Sequence, residues 1–262
     1  MSHSTGSTDV GISVREHVGI VEMRKPPHNF FDLALLIELA TAFEALDADP
    51  DVRALVLCTQ GTAFCAGADL TNSEDLPKAR SPHAANPIYA EAVRLFSIGK
   101  PVVAAVHGAA IGGGLGLALA ADFRVSCREA RFSANFNRLG ITPGFGLTTT
   151  LPRLIGTQKA ALLFYTGRRI GGEEAFAIGL VDTLVAQAAV RDEAFKLAAE
   201  MAASAPLALR ATRRALRSGL ADAVRQSVAR ESSEQYWQFD TADFKEGVAA
   251  MTERRLPLFT GA

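Results

Sequence analysis

The chain has few cysteines, no excess charge of either sign and no long apolar run, and each shortage closes off a class of function. Cys58, Cys65 and Cys127 are its only cysteines in 262 residues, with neither a CxxC pair nor Cys/His metal spacing. A disulfide scaffold and a zinc module are therefore excluded, and a reducing, cytoplasmic setting is expected. Twenty-seven Lys and Arg stand against 28 Asp and Glu, a formal charge of −1, so neither nucleic acid nor a membrane surface is an expected partner. No apolar stretch reaches the ~18 residues of a membrane-spanning helix. The opening MSHSTGSTDV lacks the basic and apolar regions of an export leader. Internal repeats, low-complexity linkers and heptads are missing too.

What remains is a chain with 48% hydrophobic and 21% charged residues, enough to bury one large core, with or without an appendage. Val18–Met23 (VGIVEM) reads as a strand, KPPHN at 25–29 breaks it with two prolines, and residues 32–46 carry apolar side chains at helical spacing. ALVLC at 54–58, Val102–Val106 (VVAAV) and FRVSC at 123–127 read as further strands. Continuous apolar strands alternating with helices predict an α/β fold with a largely parallel sheet, buried on both faces. Beyond Gly156 the β signal fades, and helices are expected at 158–165, 172–178, 190–203, 206–216, 221–237 and 244–255. Residues 1–9 read as a loose tail, 10–200 as the core holding the site and 201–262 as a helical C-terminal region.

Two small-residue segments, GTAFCAGADL at 61–70 and GAAIGGGLGLALAAD at 108–122, each follow a strand and read as strand-to-helix turns. Small side chains let a ligand approach the backbone, and the first free N–H groups of a helix favour an anion. Two such turns facing one another can direct two donors at one carbonyl oxygen. For a lone GGG, tight packing is the simpler explanation, and a second turn of the same kind weakens it. Neither a GxGxxG after the first strand nor a Walker lysine occurs, so the usual nucleotide-binding loops are excluded.

The ordered set FCAGADL, KPVVAAVHGAAIGGGLGLALAAD, LPRLIG, TGRRI…EEAFAIGLVD and FKEGVAAMTERR resembles the enoyl-CoA hydratase/isomerase (crotonase) family over residues 10 to 260. The resemblance implies a spiral of ββα units, a helical C-terminal trimerisation region and an assembly that is a homo-trimer or hexamer. It also implies an acyl-CoA thioester as ligand, with coenzyme A as part of the substrate, no separate cofactor and no metal. Carried over by position, the backbone N–H groups of Ala68 and Gly113 match the oxyanion donors of the family. Ala66, Gly67, Asp69 and Leu70, with the loop around His28, match segments lining CoA. Arg254 matches a position where a basic side chain approaches its nucleotide end.

The chain departs from the family at its acids. The two hydratase glutamates fall on Gly116 and Phe136, and an aspartate found in some isomerases falls on Gly144. Each positioned acid or base is worth roughly 10²–10⁴-fold, so ordinary hydration is expected to be slow. Glycine inside a helix costs about 1 kcal/mol against alanine, which suggests that space is needed at Gly116, with Phe136 able to fill it. A non-catalytic acyl-CoA binder is the alternative. An RNA-binding role finds no basic face, and a serine protease on a related spiral finds no Ser/His/Asp set, since Ala68, Gly113 and Gly116 occupy those turns.

Other polar residues have structural readings that compete with chemistry. His107, Asp69 and Asp122 are expected to cap or brace turns, and Cys65 to be a small buried residue. His83, Tyr89 and Glu91 fall in the segment that covers the acyl pocket in the family. Asn135, Asn137 and Arg138 flank Phe136, and Thr148, Thr149 and Thr150 suggest a helix surface. Tyr236, Trp237 and Phe239 are expected in the core, with contact to a subunit or acyl chain as the alternative.

Overall fold

The computed structural model describes residues 9–69, 81, 84 and 86–262. Leu70 and His83, singled out in the sequence, lie outside them. The main sheet has six strands in the order β1 (Val10–Arg15), β2 (Val18–Met23), β3 (Ala54–Thr59), β4 (Val102–Val106), β6 (Phe123–Ser126) and β9 (Thr183–Leu184). Every neighbouring pair is parallel except β1 with β2. All residues of β3 and β4 are buried, as their unbroken apolar runs predict for strands covered on both faces.

Strand β1 was not evident in the sequence. It pairs antiparallel to β2 through a tight turn in which Glu16 and His17 take positive φ (51° and 64°) without glycine, and as an edge strand it leaves four residues exposed. A second sheet of three strands joins β5 (Ala109–Ile111), β7 (Arg131–Ser133) and β8 (Ile170–Gly171). The β signal therefore does not end at Gly156: β8 and β9 follow it, each two residues long, too short to show any periodicity.

Helix α1 (Leu33–Ala48) starts where Asp32 accepts a hydrogen bond from the Leu35 N–H at 2.8 Å. It buries Leu35, Leu36, Leu39, Phe43 and Leu46 on one face. Helix α2 (Pro87–Phe96) is capped by Asn86 and carries proline in its first turn. Helix α3 (Gly113–Ala120) lies between the two sheets' strands in sequence and is buried from Gly114 onward. Its last carbonyls accept from buried or nearly buried guanidinium groups, Arg217 to Ala120 at 3.0 Å and Arg124 to Ala121 at 3.1 Å, which complements the negative end of the helix dipole.

A 3-10 turn at Asn135–Leu139 precedes α4 (Leu147–Ile155), α5 (Thr157–Thr166), α6 (Gly172–Ala177) and α7 (Val190–Ala202). Helices α8 (Pro206–Leu216), α9 (Leu220–Gln238) and α10 (Ala242–Thr252) complete the chain. Helix α9 buries Ser227, Glu231, Ser232 and Gln235 on one stripe, and these side chains bind the backbone or side chains of the segments beneath it. Ser232 accepts from the Asn86 N–H, Glu231 from the N–H groups of Gly146 and Thr148, and Gln235 reaches Tyr89 and Thr142.

Candidate active site

The segment 61–69 is a series of bends with single β-bridges, Cys65 to Ala110 and Ala68 to Phe31, instead of opening a helix within the described residues. Asn29, fully buried, holds it from the side: its amide donates to the carbonyls of Gln60 (2.6 Å) and Ala63 (2.8 Å), while its Oδ1 accepts from the Lys25 N–H. The second segment also differs from expectation, because β5 intervenes and α3 begins only at Gly113.

Glycine brings the two segments into contact. Gly67 has φ 90°, and a Cβ there would lie 2.9 Å from the Ile111 carbonyl oxygen and 3.6 Å from the Gly113 nitrogen. A Cβ at Gly114 would run into the Cys65 carbonyl, and one at Gly113 into the Phe31 ring. Gly112 adopts φ 56°, ψ −121°, a region that side-chain-bearing residues avoid. Around this junction the Ala66 N–H donates to the His28 carbonyl and the Phe31 N–H to the Gly67 carbonyl. The N–H groups of Ala68 and Gly113 have no acceptor among the described residues.

Both border a cavity of about 280 Å³. Its wall is built from Phe30, Phe31, Phe136, Phe145, Leu139 and Ile141, with Tyr89 from α2, Gln235 and Phe239 from α9 and its flank, and Met251 from α10. Asp69 and Arg169, both exposed, are the charged residues of that wall. Among the described residues no cluster of His, Cys, Asp and Glu could hold a metal ion.

A family model described as enoyl-CoA hydratase/isomerase matches residues 13–262. The chain belongs to the enoyl-CoA hydratase/isomerase family. Crotonyl-CoA hydratase of Syntrophomonas wolfei is 35% identical over 243 residues, covering 92% of this chain and 93% of that one. (E)-Benzylidenesuccinyl-CoA hydratase of Thauera aromatica is 33% identical across 97% of this chain and 99% of that one. The crystal structure of enoyl-CoA hydratase/isomerase from Pseudoalteromonas atlantica T6c matches with a TM-score of 0.86 at 28% identity, over 96% of this chain and 100% of that chain.

Within this crotonase fold, the expectation for Gly116 needs correction. The space above it is filled by Phe145 and not by Phe136: a Cβ at Gly116 would sit 2.7–2.9 Å from three Phe145 atoms. Phe145 is fully buried and holds φ 61°, a left-handed conformation that costs a non-glycine residue of order 1–3 kcal/mol. Glu231 supports that bend from behind, accepting from Gly146 (2.8 Å) and from the Thr148 hydroxyl (2.5 Å). Burial pushes the Glu231 carboxyl up, more than these hydrogen bonds pull it down. Phe136 lines the cavity, and Gly144 faces Tyr89, whose hydroxyl donates to Gln235 Oε1 at 2.6 Å.

The remaining candidates separate by place. Ala66, Gly67, Ala68, Asp69 and Asn135 line the cavity. His28 is exposed beside Phe30, and Arg254 is exposed just past α10 with φ 56°; neither lines the cavity wall. His107 braces a turn through the Gly61 carbonyl at 3.0 Å, Glu91 pairs with Arg94, and Arg138 donates to the Thr166 carbonyl. Asp122 does brace a strand end, accepting from the Val102 N–H, but it also pairs with Arg213 and Arg217 at 2.8 Å each. Cys65 is fully buried with its thiol pushed up to about 12 by burial, which leaves it unreactive as a nucleophile. Tyr236 and Trp237, expected in the core, are 37% and 55% exposed, whereas Phe239 lines the cavity and packs edge-on against Phe244.

Sequence reasoning missed Asn29, Phe145, Glu231 and Gln235. The PPHN stretch offered a signal for Asn29, since asparagine tolerates the positive φ (51°) it adopts there. The α9 residues stand at helical spacing among charged neighbours, a pattern that a solvated face shares.

Proposed function

We propose that this protein binds an acyl-CoA thioester in the apolar cavity and polarises the thioester carbonyl with the N–H groups of Ala68 and Gly113, so stabilising an enolate. The observation that carries this reading is the pair of N–H groups that find no acceptor among the described residues, bordering one cavity on two segments that Gly67 lets meet. Such a donor is worth roughly 3–4 kcal/mol at the transition state, because it is already aimed where charge develops. The start of α3 adds the positive end of a helix dipole on the same side.

In this reading the acyl group fills the aromatic and aliphatic wall, and the CoA portion runs past Ala66, Gly67, Asp69 and His28 towards Arg254. Coenzyme A enters as part of the substrate, with no separate cofactor. A homo-trimer or hexamer is part of the proposal, supported by the exposed Leu207, Leu216, Trp237 and Leu258 of the helical C-terminal region. Three buried free cysteines suit a reducing, cytoplasmic setting. Among the described residues no helix is long and apolar enough to cross a membrane.

The reaction follows from the wall's chemistry. Gly116, Phe136 and Gly144 stand at the family's acid positions, and the neighbouring space is taken by Phe145 and Tyr89. Enolate formation must pass the α-proton to a base outside these three positions, so isomerisation, C–C cleavage or slow hydration is expected in place of fast hydration. Mass-spectrometric product analysis tests this, using short, long, branched and aromatic enoyl-CoA thioesters beside a hydratase control. A rearranged, cleaved or slowly hydrated product is expected. Binding without conversion would make the protein an acyl-CoA binder, and failure of every thioester to bind would overturn the reading.

A further inference from the structure

Among the described residues that line the apolar cavity, Tyr89 alone carries a hydroxyl, and none of them donates to its oxygen. Any side chain at Gly144 would begin on the Tyr89 hydroxyl and within 3.0 Å of Gln235 Nε2, so glycine there is what admits the phenol. The Gln235 amide is oriented by donation from Nε2 to the Thr142 carbonyl at 2.7 Å, which turns Oε1 to receive the Tyr89 proton at 2.6 Å. With its proton committed, the phenol oxygen can still accept, and no described residue donates to it. Burial pushes the Tyr89 phenol up, so it stays protonated at ordinary pH. Both side chains line the cavity.

We propose that the Tyr89 oxygen accepts a hydrogen bond from a hydroxyl on the acyl group, making Tyr89 and Gln235 the specificity pair for hydroxyacyl over plain acyl thioesters. This rests on the acyl-CoA reading above. A hydroxyl buried in an apolar cavity without a partner is disfavoured, and one neutral hydrogen bond corresponds to a preference of about 3- to 10-fold.

The test is isothermal titration of the full chain with butyryl-CoA and with its 2-, 3- and 4-hydroxy derivatives, the readout being the affinity ratio within each protein. The unaltered chain should prefer at least one hydroxy isomer by about 3- to 10-fold. Tyr89→Phe, which keeps the ring and removes the oxygen, should bring that ratio to about one. Gly144→Ala should do the same with the tyrosine present, by displacing its hydroxyl. Equal affinities in the unaltered chain, or an undiminished ratio in either variant, would overturn the contact while leaving thioester binding standing. Failure of all four thioesters to bind would overturn the acyl-CoA reading and this inference with it.

Discussion

Replacing Ala68 by proline removes one backbone N–H that no described residue accepts, so no hydrogen bond among them is lost on substitution. The residue before a proline is pushed out of the helical region, and Gly67, at φ 90°, is already outside it. Where proline's fixed φ suits position 68, stability should change by no more than about 1 kcal/mol, or about 2–4 °C in thermal midpoint for a chain of this size. The cost in turnover should be far larger: deleting one preorganised oxyanion donor lowers kcat by about 10²–10³, or 2.7–4 kcal/mol. Gly113→Pro is a poorer probe, because its side chain would enter the Phe31 ring. Ala68→Gly serves as the control, since it keeps the N–H and should retain kcat within about threefold. The assay measures kcat and KM on the best thioester of the panel alongside thermal unfolding. A folded Ala68→Pro protein with kcat within tenfold of the unaltered chain would refute the assignment.

Three further outcomes follow from other contacts. Gly116→Glu should lower the thermal midpoint and yield no crotonyl-CoA hydration, because even the Cβ meets Phe145 at 2.7–2.9 Å; a hundredfold gain in hydration would show that Phe145 yields. Asp122→Ala strands Arg213 and Arg217, whose side chains are only 8% and 15% exposed, and should cost about 3–5 kcal/mol. That is a fall of about 6–20 °C in thermal midpoint, and a change under about 2 °C would contradict it. Glu231 has its folded pKa raised above the ordinary 4.5 by burial, so the native state holds this proton to higher pH than the unfolded chain. Its contribution to stability therefore declines as pH rises from about 4.5 through the folded value and levels off above it. Glu231→Gln should remove that decline, and urea midpoints of both proteins from about pH 4 to 8 decide it: parallel curves would refute the coupling.

Local pattern sufficed where a segment's surroundings are implied by its own composition. Val102–Val106 forms a strand with the expected ends because an unbroken apolar run satisfies both covered faces of a sheet, and Val18–Met23 does so with its one charged residue, Glu22, paired with Arg24 and Arg191. Asp32 starts α1 because its carboxylate caps the next turn, within three residues. The glycine-rich segments marked the site for a related reason: absent side chains are a local property, and close backbone approach requires them. Tertiary structure alone decided what fills the vacated space. Phe145 lies 29 positions beyond Gly116, and Gln235 lies 146 beyond the Tyr89 hydroxyl it receives. Whether segment 61–69 opens a helix or bridges its neighbours depended on Phe31 and Ala110 beside it. Composition and spacing record which residues have no side chain and which are apolar; which distant side chain enters a gap depends on how the whole chain packs.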